Sequence, residues 1–162
     1  MIKITLDDHA SNELRQIVIQ LQHPKKLYGV LGETLKKIHK ERFKQEVAPD
    51  GKKWQALSPI TRQIKGNNRI LKQDGYLSQK TAYNYDEHHV EFGSDAKYAR
   101  LHQFGGKIVP KNAKRLRFGE SKIFAKKADI PARPWLGVND QDKQQLLNKA
   151  TALLQRQLSQ IK

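Results

Sequence analysis

The stretch PKKLYGVLGETLKKIHKERFKQEV, residues 24–47, places Leu27, Leu31, Leu35 and Ile38 three or four positions apart. That spacing lines them along one side of an α-helix. Pro24 suits the first helical position, because the N–H it lacks has no partner there. Lys36, Lys37, Lys40, Glu41, Arg42 and Lys44 are assigned to the opposite, solvated face, and the helix is expected to run to about Phe43–Val47. Toward the N-terminus, His23-Pro24 stops an earlier helix whose stripe is Leu14, Ile17, Val18 and Leu21, with Asp7 or Asp8 as cap. Before it, Ile2, Ile4 and Leu6 alternate with polar residues, as in a short strand.

Toward the C-terminus, Ala48-Pro49-Asp50-Gly51 reads as a turn. Lys52–Asp74 shows little periodicity, with Gly66-Asn67-Asn68 as a loop signal. After Gly75 the period becomes two. Ala82–Tyr85 and His89–Gly93 form an expected hairpin around Asp86-Glu87-His88. Ser94 is expected to cap a short helix through Gln103, which Gly105-Gly106 ends. Lys107–Pro110, Arg115–Phe118 and Lys122–Ala125 are candidate short strands. Ile130–Trp135 contains two prolines and is no central strand, since proline lacks a ladder donor. Asn139 or Asp140 caps a last helix striped by Leu146, Ala150, Leu153, Leu154, Leu158 and Ile161.

These elements predict an α+β fold, with N-terminal helices and a C-terminal helix packed on a small, mainly antiparallel sheet. One domain is expected over residues 1–162, with a basic loop or hairpin arm at about 106–130. The expected core comprises Leu14, Ile17, Leu31, Leu35, Ile38, Leu153 and Leu154.

Composition narrows the functional classes. Hydrophobic residues make up 37%, so the core is modest. Lys and Arg number 31 against 16 Asp and Glu, a net charge of +15 that attracts polyanions and acidic protein surfaces. No cysteine is present, which excludes disulfides and Cys-based metal sites. The opening residues carry two acids and no apolar run of signal-peptide length, and no run is long enough for a membrane span. The expected setting on these grounds is the cytoplasm.

No constellation for catalysis is legible. His88 and His89 would point to opposite faces of a strand and cannot easily grip one metal. His102 is expected to be an ordinary packed or hydrogen-bonded histidine. No nucleophile elbow, Walker loop or dinucleotide fingerprint exists. Glu46 and Asp50 read as a helix-end residue and a turn residue, not as paired catalytic carboxylates. The expectation is a protein without enzymatic activity, cofactor or metal.

The cations concentrate between Lys107 and Arg133, where Lys107, Lys111, Lys114, Arg115, Arg117, Lys122, Lys126, Lys127 and Arg133 face only Glu120 and Asp129. Two readings follow. The arm either touches nucleic-acid phosphates without sequence preference, or docks against an acidic protein surface. No helix-turn-helix or ribonucleoprotein signature is present.

An ordered series now stands out: Phe43–Glu46; Pro49-Asp50-Gly51 with Trp54 and Leu57; Ile70-Leu71, Gly75 and Leu77; Tyr98, His102-Gln103-Phe104-Gly105; and Pro131-Ala132-Arg133-Pro134-Trp135-Leu136-Gly137. Over about Leu35–Gly137 it resembles the phage virion morphogenesis family of Mu-like phages and prophages, also described as tail completion proteins. The sequence departs from that pattern at Gln73-Asp74-Gly75, where a Thr usually precedes the Gly, and at Trp135, where Phe is common. The resemblance implies a structural role in the virion, at the tail end or head–tail junction, in a ring of copies among other tail or neck proteins. Trp54, Leu57 and Phe104 are candidate contact anchors. For Trp54 and Phe104 core packing is favoured, because a small protein needs its aromatics inside. Arg133 is expected to pair with a carboxylate in the fold or across a subunit boundary.

Overall fold

The computed structural model describes residues 19, 24–72, 76–118 and 123–160. The expected strand Ile2–Leu6, the helix striped by Leu14, Ile17, Val18 and Leu21, and Gly75, Glu120, Lys122 and Ile161 lie outside the described residues. The order of elements is α1 (Lys25–Gln45), α2 (Pro59–Lys65), α3 (Tyr76–Gln79), β1 (Thr81–Tyr85), β2 (Val90–Ser94), α4 (Ala99–Phe104), β3 (Gly106–Ile108), β4 (Leu116–Arg117), β5 (Phe124–Ala125), β6 (Ala128–Ile130) and α5 (Asp140–Leu158). The class is α+β, as expected. The described strands make three two-stranded sheets, β1–β2, β3–β6 and β4–β5.

The chain divides into two compact units. One comprises Lys36–Ala82 and Gly93–Asp140. The other comprises Met1–Leu35, Tyr83–Phe92 and Gln141–Lys162. Helix α1 contributes its second half to the former and its first half to the latter.

Helix α1 stops because Glu46 takes a left-handed φ of 57°. Val47 N–H then reaches back to the Arg42 carbonyl at 3.3 Å, closing the helix end in the Schellman manner. The turn follows at once. Gly51 N–H donates to the Ala48 carbonyl at 2.9 Å, and Lys52 N–H donates to the Asp50 carboxylate at 3.1 Å. Gly51 has φ 81°, a left-handed conformation that favours glycine.

Helix α2 was not legible as periodicity, but its caps are ordinary. Ser58 Oγ accepts from Thr61 N–H at 3.1 Å, Pro59 opens the helix, and Gly66 closes it in the left-handed region. Helix α3 and strand β6 also fall outside the sequence expectations. Ser94 does not cap α4. Its hydroxyl accepts from Ala96 N–H at 3.3 Å, while Tyr98 holds the cap position and its side chain makes no capping bond.

The core departs from the leucine stripe. Leu31, Leu35, Ile38, Leu153 and Leu154 are half-buried. The fully buried positions of α1's second half are His39, Arg42 and Phe43, at 1%, 5% and 1% exposure. His39 and Arg42 lie four residues beyond Leu35 and Ile38, so the stripe continues, but through polar side chains. Arg42, assigned to the solvated face, is therefore internal. Its guanidinium donates to the Gly137 carbonyl at 2.7 Å.

Candidate functional site

The family-pattern residues that the structure describes all fall within the unit 36–82 and 93–140. Phe43 packs edge-on against Trp54, with ring centroids 5.5 Å apart, and tilted against Trp135 at 5.9 Å. This aromatic cluster anchors an extended strap, Pro131–Gly137. Backbone in such a strap has no ladder, so its polar groups are met singly: Arg133 N–H donates to the His102 carbonyl at 2.7 Å, and side chains meet others. Trp54 Nε1 donates to the Pro134 carbonyl at 2.7 Å, and Trp135 Nε1 to the Ala99 carbonyl at 3.1 Å. Gln103 serves three strap groups. Its Oε1 accepts from Trp135 and Leu136 N–H at 2.9 Å each, and its Nε2 donates to the Leu136 carbonyl at 2.9 Å. Gly137 N–H donates to His39 Nε2 at 3.4 Å. Asn139 Nδ2 donates to the Pro49 carbonyl at 2.7 Å.

Gly105 lies where the strap passes closest. Its φ is 70°, and a Cβ there would stand 2.7 Å from Ala132 N. Only glycine fits both constraints. Glu46 accepts from Ile70 N–H at 2.8 Å, and Asp50 pairs with Lys52 at 3.0 Å. The Lys52 contact holds the Asp50 carboxyl below its ordinary range. Most of the pattern thus builds a scaffold. His39, Arg42 and Asn139 belong to it but were missed from sequence. The available signal was their spacing from Leu35, Ile38 and the strap.

Three positions fill in what the sequence left open. Among the described residues Arg133 meets backbone carbonyls and no carboxylate of its own fold. Its Nε and Nη2 donate to the Gln55 and Ala56 carbonyls at 2.7 and 3.1 Å. His102 is packed, edge-on to Tyr98 at 5.7 Å, but its buried Nδ1 has no hydrogen-bond partner. Burial, then the nearby Arg133 and Lys65 charges, lower its pKa below the usual histidine value. Phe104, expected inside, is 71% exposed, whereas Trp54 is 5% exposed and internal as expected. Leu57 and Tyr98 line a cavity with Leu77 and Pro131.

The basic arm is an antiparallel ribbon in two pieces. At its base β3 pairs β6, with Gly106 opposite Ile130 and Ile108 opposite Ala128. Further along, β4 pairs β5, with Leu116 opposite Ala125 and Arg117 opposite Phe124. Between the pieces one side runs through residues 109–115 and the other only through 126–127. The longer side must bulge outward. It carries Lys111, Lys114 and Arg115, all exposed. Lys107, Arg117, Lys126 and Lys127 are exposed as well. Asp129 meets Lys107 at 3.9 Å and Lys127 at 3.5 Å. Val109 and Phe124 stand among these cations at 56% and 52% exposure.

Among the described residues no group of His, Asp or Glu could hold a metal, and no helix is long and apolar enough to cross a membrane. No solved structure matches the chain. It is 26% identical over 157 residues to "Putative capsid assembly protein G" of Escherichia phage Mu, covering 90% of this chain and 92% of that protein. The phage virion morphogenesis family matches residues 7–155. With nearly its whole length inside that match, the chain belongs to the phage virion morphogenesis family.

Proposed function

We propose that the chain completes the tail or the head–tail junction, acting in a ring of copies by contact alone and without catalysis. The observation that carries this reading is the arm. An exposed ribbon that mixes Lys111, Lys114, Arg115 and Arg117 with Val109 and Phe124 has the make-up of an interface: aromatic and aliphatic anchors among cations. Complementary charge would steer it onto an acidic ring of a neighbouring virion protein and set its register. Exposed Phe104, at the foot of the arm, adds a further anchor.

The test is complementation of a null allele, scored by plaque count and electron microscopy. The null should yield heads and tails that fail to become joined infectious particles. Reversing Lys111, Lys114, Arg115 and Arg117 to Glu should change stability by less than about 0.5 kcal/mol, since exposed charges contribute little. It should nevertheless prevent rescue. Normal joined particles in the null would overturn the assembly reading, and full rescue by the reversed variant would overturn the role of the arm. Loss of submicromolar DNA binding in the reversed variant, with rescue retained, would instead assign the arm to nonspecific DNA contact.

A further inference from the structure

The second half of α1 exposes Lys36, Lys37, Lys40 and Lys44. Lys36, Lys40 and Lys44 recur every four residues, with Lys37 beside that row. Like charges at this spacing repel one another and destabilise a helix. Lys44 meets an acid, Glu41, at 3.8 Å. Glu33, one turn earlier, accepts from the Tyr83 hydroxyl at 2.8 Å. Among the described residues Lys36, Lys37 and Lys40 form no ion pair. The complementary charge occurs in the same chain. Within a protein of net charge +15, residues 81–96 hold Asp86, Glu87, Glu91 and Asp95 and no Lys or Arg. Asp86, Glu87 and Glu91 are exposed around the β1–β2 turn. The Asp86 carboxylate shapes that turn, accepting from His88 and His89 N–H at 2.7 and 2.9 Å. Glu91 meets only the His89 ring, at 3.6 Å, and its side chain is 72% exposed. Tyr83 faces Gly32 and Tyr85 faces Gly29, so β1 runs toward the N-terminal end of α1. The acidic turn follows in that direction, whereas the lysines follow Gly32 in the other.

We propose that the lysine face of α1 in one copy receives the acidic β1–β2 turn of the next copy. Two different surfaces meet, so the contact is head-to-tail, the kind that repeats around a ring. Copies of so basic a chain repel one another, and this pairing sets their acids against their unpaired cations. The inference rests on the ring reading above and supplies that ring's copy-to-copy contact. Association in solution is read independently of particle completion, so failure of either one is distinguishable from failure of the other.

Sedimentation velocity of the full chain, over a range of concentration and salt, tests the contact. The chain should self-associate, and salt should weaken the association because the charges are exposed. Two variants reverse one surface each: Glu87→Lys with Glu91→Lys, and Lys37→Glu with Lys40→Glu. Asp86 stays in place because it holds the turn. Each variant should melt as the parent does, since exposed charges contribute little to stability. Each should associate about tenfold more weakly or worse. An equimolar mixture of the two should associate again, because each copy then offers its neighbour the opposite charge on both surfaces. A parent chain that stays monomeric, single variants that associate as the parent does, or a mixture that stays apart would overturn the proposal. Retained association with lost duplex-DNA binding in the Lys37→Glu, Lys40→Glu variant would assign the lysines to DNA and overturn it as well.

Discussion

The two units are stabilised in different ways. Among the described residues the buried hydrophobic ones, Phe43, Ala48, Trp54, Ile70, Leu77, Ala96, Ala99 and Trp135, lie in the unit 36–82 and 93–140. In the other unit the described apolar stripes of α1 and α5 are half-buried at most, and Leu147 and Leu158 stand 59% and 46% exposed. There the clearest packing is a pair of tyrosines on a glycine face. Tyr83 and Tyr85 stack at 5.8 Å, lie over Gly32 and Gly29, and Tyr83 donates to Glu33 at 2.8 Å. That bond also raises the Tyr83 pKa. One unit excludes water with aromatic volume. The described part of the other relies on close approach along a helix that gives up side chains to permit it.

The largest effect should come from the aromatic cluster. Phe43→Ala removes the ring that touches both tryptophans and should cost about 3–5 kcal/mol in denaturant melts. A loss under about 1 kcal/mol would erase the contrast between the units. The next effect tests the glycine face. A Cβ at Gly32 would stand 2.1 Å from Tyr83 Cδ2, so Gly32→Ala should cost about 1–3 kcal/mol by overpacking. On a Tyr83→Ala background the sign should reverse, with alanine gaining up to about 1 kcal/mol from helix propensity. A loss that persists without the ring would show that contact with Tyr83 is not the reason for the glycine. The smallest effect lies at the turn. Gly51 has open space around it, so Gly51→Val tests backbone conformation alone and should cost about 1–2 kcal/mol. Unchanged melting would mean that the left-handed angle is dispensable.

Much of this was legible in the sequence, and the reasons are physical. Helices α1 and α5, the β1–β2 hairpin and the turn at Pro49–Gly51 announce themselves through periodicity and turn chemistry. The ordered pattern from Phe43 to Gly137 also located the residues that build the scaffold. What it did not reveal was their use. His39 and Arg42 are polar, so a hydrophobic stripe passes over them even though, with Phe43, they are buried in the second half of the helix. Arg133 looks like half of an ion pair until its carbonyl partners come into view, 77 and 78 residues away in sequence. Helix α2 is too short for periodicity, although Ser58-Pro59 and Gly66 mark both ends. Phe104 was assigned inside on composition alone, which cannot distinguish a core aromatic from a contact anchor.

The strap also sets the order in which the protein can fold. Its fastenings join Arg42 to Gly137, Trp54 to Pro134 and Pro49 to Asn139, separations of 95, 80 and 90 residues. Such closures are entropically costly and slow, because the loop must be ordered before its contacts form. Helix α1 is local and can form as it leaves the ribosome, yet Phe43 and Trp54 then wait for Trp135. During synthesis the aromatic cluster therefore stays open until most of the chain has been made. A chain arrested before Pro131 would leave those rings exposed and prone to aggregate.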